Sequence, residues 1–381
     1  MASIYLDHAA TTPVSPEVVE AMVPIYQEVY GNPSSVHSYG RKARKILDDA
    51  RKIIANALGA VEKEIIFTSG GTEADNLALI GAAKAHQHLG KHIITTQVEH
   101  HAVLHPAEYL EEEGFDVTYL SVNEEGLISI DELKDALRED TILVSVMYVN
   151  NETGSIQPIA EIGSILEDHQ ALLHTDAVQA FGAMPINVKT LNVDMLTITA
   201  HKINGPKGIG ALYAKEGLSL HPSLHGGEQE RKRRPGTENT VAAHGFAQAV
   251  QTVKENQKER LRAYKHYKKL FLDTLREEGV DYDINGGRIN IPSIINIHFP
   301  GTNVETLLTN FDLDGIAASS GSACTAGSVE PSHVLSAMFG EGHERTTSSV
   351  RFSFGLANTE ENVQEGARKV ASIVQRLTKT S

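Results

Sequence analysis

The chain has a single cysteine, Cys324, among 381 residues. No intramolecular disulfide can form, which fits a reducing compartment. It has no apolar run near the roughly 18 residues that a membrane-crossing helix needs. At the N-terminus Asp7 leaves no room for the apolar segment of a secretory signal. These absences predict a soluble, cytoplasmic protein with no membrane partner. Positive charge is also scarce: 34 Lys and Arg stand against 49 Asp and Glu, for a net charge of -15. A field of that sign disfavours direct nucleic-acid binding, which depends on neutralising phosphates. The one concentrated basic run, Arg231-Lys232-Arg233-Arg234, reads as a solvated loop or as a site for a phosphate or an acidic partner.

What is there is ordinary in bulk. Hydrophobic residues make up 41% and charged residues 22%, as in globular proteins, and the length suggests more than one domain. Between positions 16 and 215, helical and strand-like stretches alternate. The periodicity predicts a helix over 41–58 closed by Gly59, and helices over 72–88 and 106–113. Short apolar runs at 64–68, 92–96, 141–148, 171–175 and 195–199 read as buried strands. The alternation predicts an α/β fold with a mostly parallel sheet covered by helices. After Gly236 the pattern changes. A long amphipathic stretch at 241–278 reads as one or two helices. It is followed by strands at 291–299 and 349–354, a small-residue loop, and a last helix over 359–377. This reads as a smaller α+β domain, with the boundary inside the long helix near 256.

Six segments bear chemistry. In Thr199-Ala200-His201-Lys202-Ile203-Asn204-Gly205-Pro206 a strand runs into a turn. A lysine at the end of a buried strand is where desolvation lowers basicity, as a Schiff-base lysine requires; alone it reads as a surface turn residue. In Thr68-Ser69-Gly70-Gly71-Thr72 a strand, a glycine turn and a helix gather free N–H groups around one point, a phosphate site without a nucleotide P-loop's Lys-Ser/Thr ending. His174-Thr175-Asp176-Ala177-Val178-Gln179 puts a carboxylate at a strand's carboxyl end. There it can hold a pyridine nitrogen protonated or cap the next helix. Glu99-His100-His101-Ala102-Val103-Leu104-His105 admits a metal reading through His101 and His105, but lacks the glutamate of the HExxH pattern; an imidazole stacked on a flat ring competes with it. Around Cys324 the run 319–328 is almost all Ser, Gly, Ala and Thr, which predicts a mobile, accessible thiol and a nucleophile's role. In Ser349-Val350-Arg351-Phe352 the guanidinium suits a bidentate grip on an amino-acid carboxylate.

Together with Tyr5-Leu6-Asp7-His8-Ala9-Ala10-Thr11-Thr12-Pro13 and Gly31-Asn32-Pro33-Ser34-Ser35, these segments resemble the cysteine desulfurases, the NifS-like branch of the class V aminotransferases. The likeness runs over essentially the whole chain and implies a fold-type-I pyridoxal-phosphate enzyme. Its large domain would be 16–256, and its small domain 1–15 plus 257–381, carrying a cysteine loop at about 319–330. Pyridoxal 5'-phosphate would be held covalently by Lys202, with Gly71, Thr72, Thr199 and His201 at its phosphate. Asp176 would pair with the ring nitrogen, Gln179 with the ring oxygen, and His100 would stack on the ring. Asn151 would lie beside ring and substrate, and Arg351 would bind the substrate carboxylate. Thr237 would reach the phosphate of a neighbouring subunit, implying a homodimer. No metal is implied. The expected reaction is sulfur removal from L-cysteine, giving alanine and a Cys324 persulfide, with Lys202, His100 and Cys324 catalytic. The sulfur would pass to a tRNA thiolation enzyme, an iron–sulfur scaffold or a cofactor pathway. Ser320-Gly321-Ser322-Ala323-Cys324 resembles the subgroup with a long cysteine loop. Ala200 stands where housekeeping members usually have serine. The chain also ends soon after its last helix, without the longer tail that docks a scaffold in those members. A selenocysteine lyase or another class V aminotransferase is the alternative within the same chemistry, and a metal hydrolase or non-catalytic binding protein the alternative outside it.

Overall fold

The computed structural model describes residues 3–321 and 331–379; Cys324 lies outside the described residues. Among the described residues twelve strands follow in chain order: β1 (Ile4–Tyr5), β2 (Ile65–Thr68), β3 (His92–Thr96), β4 (Asp116–Leu120), β5 (Thr141–Ser145), β6 (Leu172–Asp176), β7 (Met195–Thr199), β8 (Gly210–Ala214), β9 (Asp283–Asn285), β10 (Ile294–His298), β11 (Ile316–Ala317) and β12 (Ser349–Ser353). Seven form one sheet in the order β2-β8-β7-β6-β5-β3-β4. The run from β7 to β4 is parallel, and β8 lies antiparallel to both its neighbours. The α/β sheet expected from the alternating pattern is therefore present, with one reversed strand. β8 follows the turn at 205–208 and returns beside β7 with only the three-residue 3-10 turn Ala200–Lys202 between, so no α-helical period marks it in the sequence.

Strand side chains alternate between the two faces. Ile65 and Phe67, Ile94, Val144 and Leu196 join one core with Leu47, Ala50, Ile54 and Leu58 of helix α2 (Ser38–Leu58), which follows helix α1 (Pro16–Glu28). Ile66, Ile93, Leu143, Met195 and Leu212 meet Ala74, Leu77, Ala78 and Ala82 of helix α3 (Gly71–His86) on the other face. Burial on both faces is why these strands read as continuous apolar runs.

A second sheet, β12-β10-β9, and the pair β1-β11 surround a separate core built on Phe299, Phe311, Phe352 and Phe354. The stretch after Gly236 becomes one 38-residue helix, Thr240–Glu277, rather than two. Its buried residues up to Val253 belong to the first core, and Phe271 and Leu275 belong to the second. The helix His101–Glu112 starts five residues before the proline that the sequence suggested as its beginning. Among the described residues no helix is long and apolar enough to cross a membrane.

Half of the basic run is held within the fold. Arg234 Nε donates to Glu73 of α3 at 2.7 Å, and Arg233 donates to the Lys63 carbonyl at 2.8 Å. Glu230, just before the run, grips buried Arg51 through two bonds of 2.6 and 2.7 Å. Arg231 and Lys232 alone remain at the surface.

Candidate active site

The carboxyl ends of β6 and β7 and the N-terminus of α3 open onto one cavity of about 380 Å³, the usual place for a ligand in an α/β sheet and a size that suits a small one. Gly71, Thr72, His100, Asn151, Asp176, Gln179, Thr199, His201, Lys202 and Arg351 all line it. Thr237 does not; it is exposed elsewhere on the surface.

α3 starts at Gly71, directly after the turn that leaves β2. The N–H groups of its first turn have no partner within the helix, and they face the cavity with the positive end of the helix dipole. Gly210 of β8 makes the turn possible: a Cβ there would lie 2.7 Å from the Gly70 carbonyl carbon.

Asp176 ends β6. One carboxylate oxygen accepts from the Val178 N–H at 2.9 Å. Burial pushes its carboxyl up to about 6, against the pull of that N–H and of the Lys202 ammonium. Behind it lies a polar group that the sequence did not reveal. Asp75 of α3 is fully buried, and burial and the neighbouring Asp176 push its carboxyl well above the usual range. His174 Nε2 lies 3.6 Å from Asp75 and 3.1 Å from the Thr197 hydroxyl, with Nδ1 2.8 Å from Ser145 Oγ. Burial holds His174 down to about 3, so the ring is neutral.

Lys202 sits in the turn after β7. Its ammonium donates to the Ala9 carbonyl and, at 2.8 Å, to that of Ala10. Gln179 Nε2 also donates to Ala9 O, at 2.9 Å. His201 Nδ1 meets the Thr11 hydroxyl at 3.1 Å, and burial, with Lys202 and Lys207 nearby, holds that ring down to about 4. The N-terminal segment 7–12 is thus a wall of the site. Its motif was visible in the sequence, but no contact could be read from it. The Thr199 hydroxyl donates to the Ile209 carbonyl at 3.2 Å, so it is already engaged within the fold.

His100 caps the helix His101–Glu112, its Nδ1 accepting from the Ala102 N–H at 3.0 Å. Nε2 is therefore the protonated nitrogen of the neutral ring. Burial, and then Lys202, hold it down to about 4, so it is neutral at pH 7. The rings of His101 and His105 stack at 5.0 Å and those of His101 and His333 approach to 4.8 Å. Among the described residues no group of three or more His, Cys, Asp or Glu is placed to hold a metal.

On the facing side, Arg351 of β12 is buried. It donates to Asp7 Oδ1 at 2.9 Å and to the Asn151 carbonyl at 2.9 Å, while its Nε is buried with no hydrogen-bond partner among the described residues. The fork expected to be open to a substrate already has a partner in the fold.

The donor set fits pyridoxal phosphate. Free N–H groups suit its phosphate, a buried carboxylate lacking a full counter-charge suits its ring nitrogen, and an amine stands at the same cavity.

The family model for class-V aminotransferases matches residues 4–365. The "Putative cysteine desulfurase IscS 1" of Bacillus subtilis (strain 168) is 56% identical, over 99% of this chain and 100% of its own. The cysteine desulfurase IscS of Dictyoglomus turgidum is 46% identical, over 98% and 95%. Among solved structures, a NifS-like protein superposes with a TM-score of 0.92 at 35% identity, over 98% of this chain and 100% of its own. One titled "SspA in complex with cysteine" gives 0.83 at 37%, over 92% and 99%. The chain therefore belongs to the class-V aminotransferase family, and within it is a pyridoxal-phosphate-dependent cysteine desulfurase.

Proposed function

We propose that this desulfurase captures the substrate's sulfur on Cys324 and passes it, as a persulfide, to a protein acceptor. The observation that carries this reading is the meeting of Lys202, Asp176 and the α3 N-terminus in one cavity whose rim includes Gly321, three residues before Cys324. Bound there, pyridoxal phosphate supplies a conjugated ring that spreads the charge left when Cα of cysteine loses its proton.

Gly71, Thr72 and His201 would bind the phosphate, with Thr199 beside them. Asp176 would keep the ring nitrogen protonated, Gln179 would face the ring oxygen, and His100 would lie against the ring. Arg351 and Asn151 would hold the substrate carboxylate. Lys202, released from the cofactor by substrate, would take the Cα proton as general base. His100 would offer Nε2–H to the substrate sulfur. The Cys324 thiolate would attack that sulfur. An S–S bond forms, the Cβ–S bond breaks with its electron pair returning to the carbon skeleton, and protonation gives alanine.

A homodimer would place Thr237 at a neighbouring subunit's phosphate. Its exposure supports this, as do Tyr26, Tyr30, Val36 and Tyr39, apolar side chains left at the surface; Val36 is 88% exposed. Ser34 and Glu238 line one surface pocket, so these two regions adjoin. The lone thiol needs a reducing, cytoplasmic setting. The acceptor would be a tRNA thiolation enzyme or an iron–sulfur scaffold. The chain would divide near residue 256 into 16–256 and 1–15 plus 257–381, where the long helix passes from one core to the other.

Cys324→Ala tests the reading. The variant should keep the cofactor's visible absorbance and release no sulfide from cysteine; undiminished sulfide release would contradict it.

A further inference from the structure

Glu152 is a buried acid at the cavity wall that none of the roles above uses. Its backbone is pinned. The Glu152 N–H donates to Asn150 Oδ1 at 2.9 Å, and its carbonyl accepts from Asn296 at 3.4 Å. The side chain therefore extends from a fixed point. Burial raises its carboxyl, and the Ser332 hydroxyl, Arg351 and His101 pull the other way.

Two independent contacts place that carboxyl between the residues that bracket 322–330. On the C-terminal side, the buried Ser332 hydroxyl donates to Glu152 Oε2 at 2.5 Å, while its oxygen accepts from the Leu335 N–H and caps the helix His333–Phe339. On the N-terminal side, Gly321 has φ 95° and packs against the same carboxyl. A Cβ there would lie 2.4 Å from Oε2, so both the backbone conformation and the lack of space require glycine. Just before it, Ser319 exchanges backbone hydrogen bonds with Arg351 at 2.7 and 3.3 Å.

We propose that Glu152 is a positioning residue for sulfur capture: its carboxyl bonds Ser332 and packs against Gly321, and so sets the spacing of the two chain points on either side of Cys324. The inference rests on the reading of Cys324 as the nucleophile. Fixed tether points raise the effective concentration of a thiol at its target, and losing one lowers it without changing the thiol's own reactivity.

That separation gives the test. Because Cys324 is the only cysteine, alkylation by iodoacetamide reports its intrinsic reactivity alone. In cofactor-loaded Glu152→Ala, persulfide formation in a single turnover with saturating cysteine should slow about tenfold. Alkylation should stay within about twofold of native, and the cofactor spectrum and its change on adding cysteine should be unaltered. Glu152→Gln keeps an oxygen for the Ser332 hydroxyl and should restore most of the rate. Ser332→Ala removes the same bond from the other side and should slow capture in the same way, which covers a Glu152→Ala protein that does not fold. A native persulfide rate in Glu152→Ala or Ser332→Ala, or a Glu152→Gln as slow as Glu152→Ala, would overturn the proposal. Desulfuration surviving in Cys324→Ala would instead remove the reading beneath it.

Discussion

On the sheet side of the cavity, Asp176, Thr199 and Lys202 stand at or just past the ends of neighbouring strands, and Gly71 and Thr72 begin the helix after a third. On the facing side, Arg351 meets Asp7 across 344 residues of sequence and Asn151 across 200. The first side is set by local order: once strand, turn and helix form, the groups face the cavity. The second exists only when distant segments dock, and its charges neutralise one another in the process. The sheet side keeps neutral imidazoles and acids pushed up by burial. It suits a ligand that brings a cation to Asp176 and an anion to the α3 N-terminus, whereas the facing side is already paired.

Breaking the sheet side should have the largest effect. Lys202→Ala should remove the cofactor's characteristic visible band and lower alanine formation by at least about a thousandfold; near-native turnover would show that another group does its work. On the facing side the effect should fall on binding. Arg351→Lys keeps the charge opposite Asp7 but loses the planar fork. KM for cysteine should rise about tenfold while kcat changes less than about threefold. A collapse of kcat at constant KM would mean that Arg351 acts in the reaction itself rather than in holding the carboxylate.

The smallest effect sharpens the electrostatic contrast. With its carboxyl raised to about 6 by burial, Asp176 in the cofactor-free protein binds its proton more tightly than in the unfolded chain. Its contribution to stability is therefore full below the ordinary carboxylate range and is lost as pH rises through about 6. His100 and His201, held down to about 4, work oppositely: stability falls as pH drops from the ordinary histidine value toward 4. Melting curves of cofactor-free native protein and Asp176→Asn should nearly coincide below about pH 4 and diverge between about pH 4 and pH 6. They should separate by a few degrees at pH 7, with the variant the more stable. A separation independent of pH would contradict the account of Asp176.

The same contrast explains what could be read from the sequence. The glycine turn, the strand-end aspartate and the lysine turn carry their geometry in consecutive residues, and each residue predicted there lines the cavity. Arg351 was visible as a carboxylate-binding candidate, but not its pairing with Asp7, which depends on how β12 meets the N-terminal segment. Glu152 lay unremarked beside Asn151, because the meaning of its carboxyl comes from Ser332, 180 residues later. Asp75 and His174 looked like helix and strand residues until packing buried them behind Asp176. The basic run suggested solvent or a phosphate because Glu73, which binds Arg234, comes from 161 residues earlier in the chain. Reversed β8 was hidden for a related reason: an antiparallel return needs no helix to announce it.

The most direct test of the central claim is a single turnover of the cofactor-loaded enzyme with L-cysteine and no acceptor, followed by intact-mass and peptide analysis. The account predicts one alanine per site, together with the mass of one added sulfur atom on the peptide containing Cys324 and on no other. Alanine formed in the same amount with Cys324 unmodified, and free sulfide released at once, would contradict it.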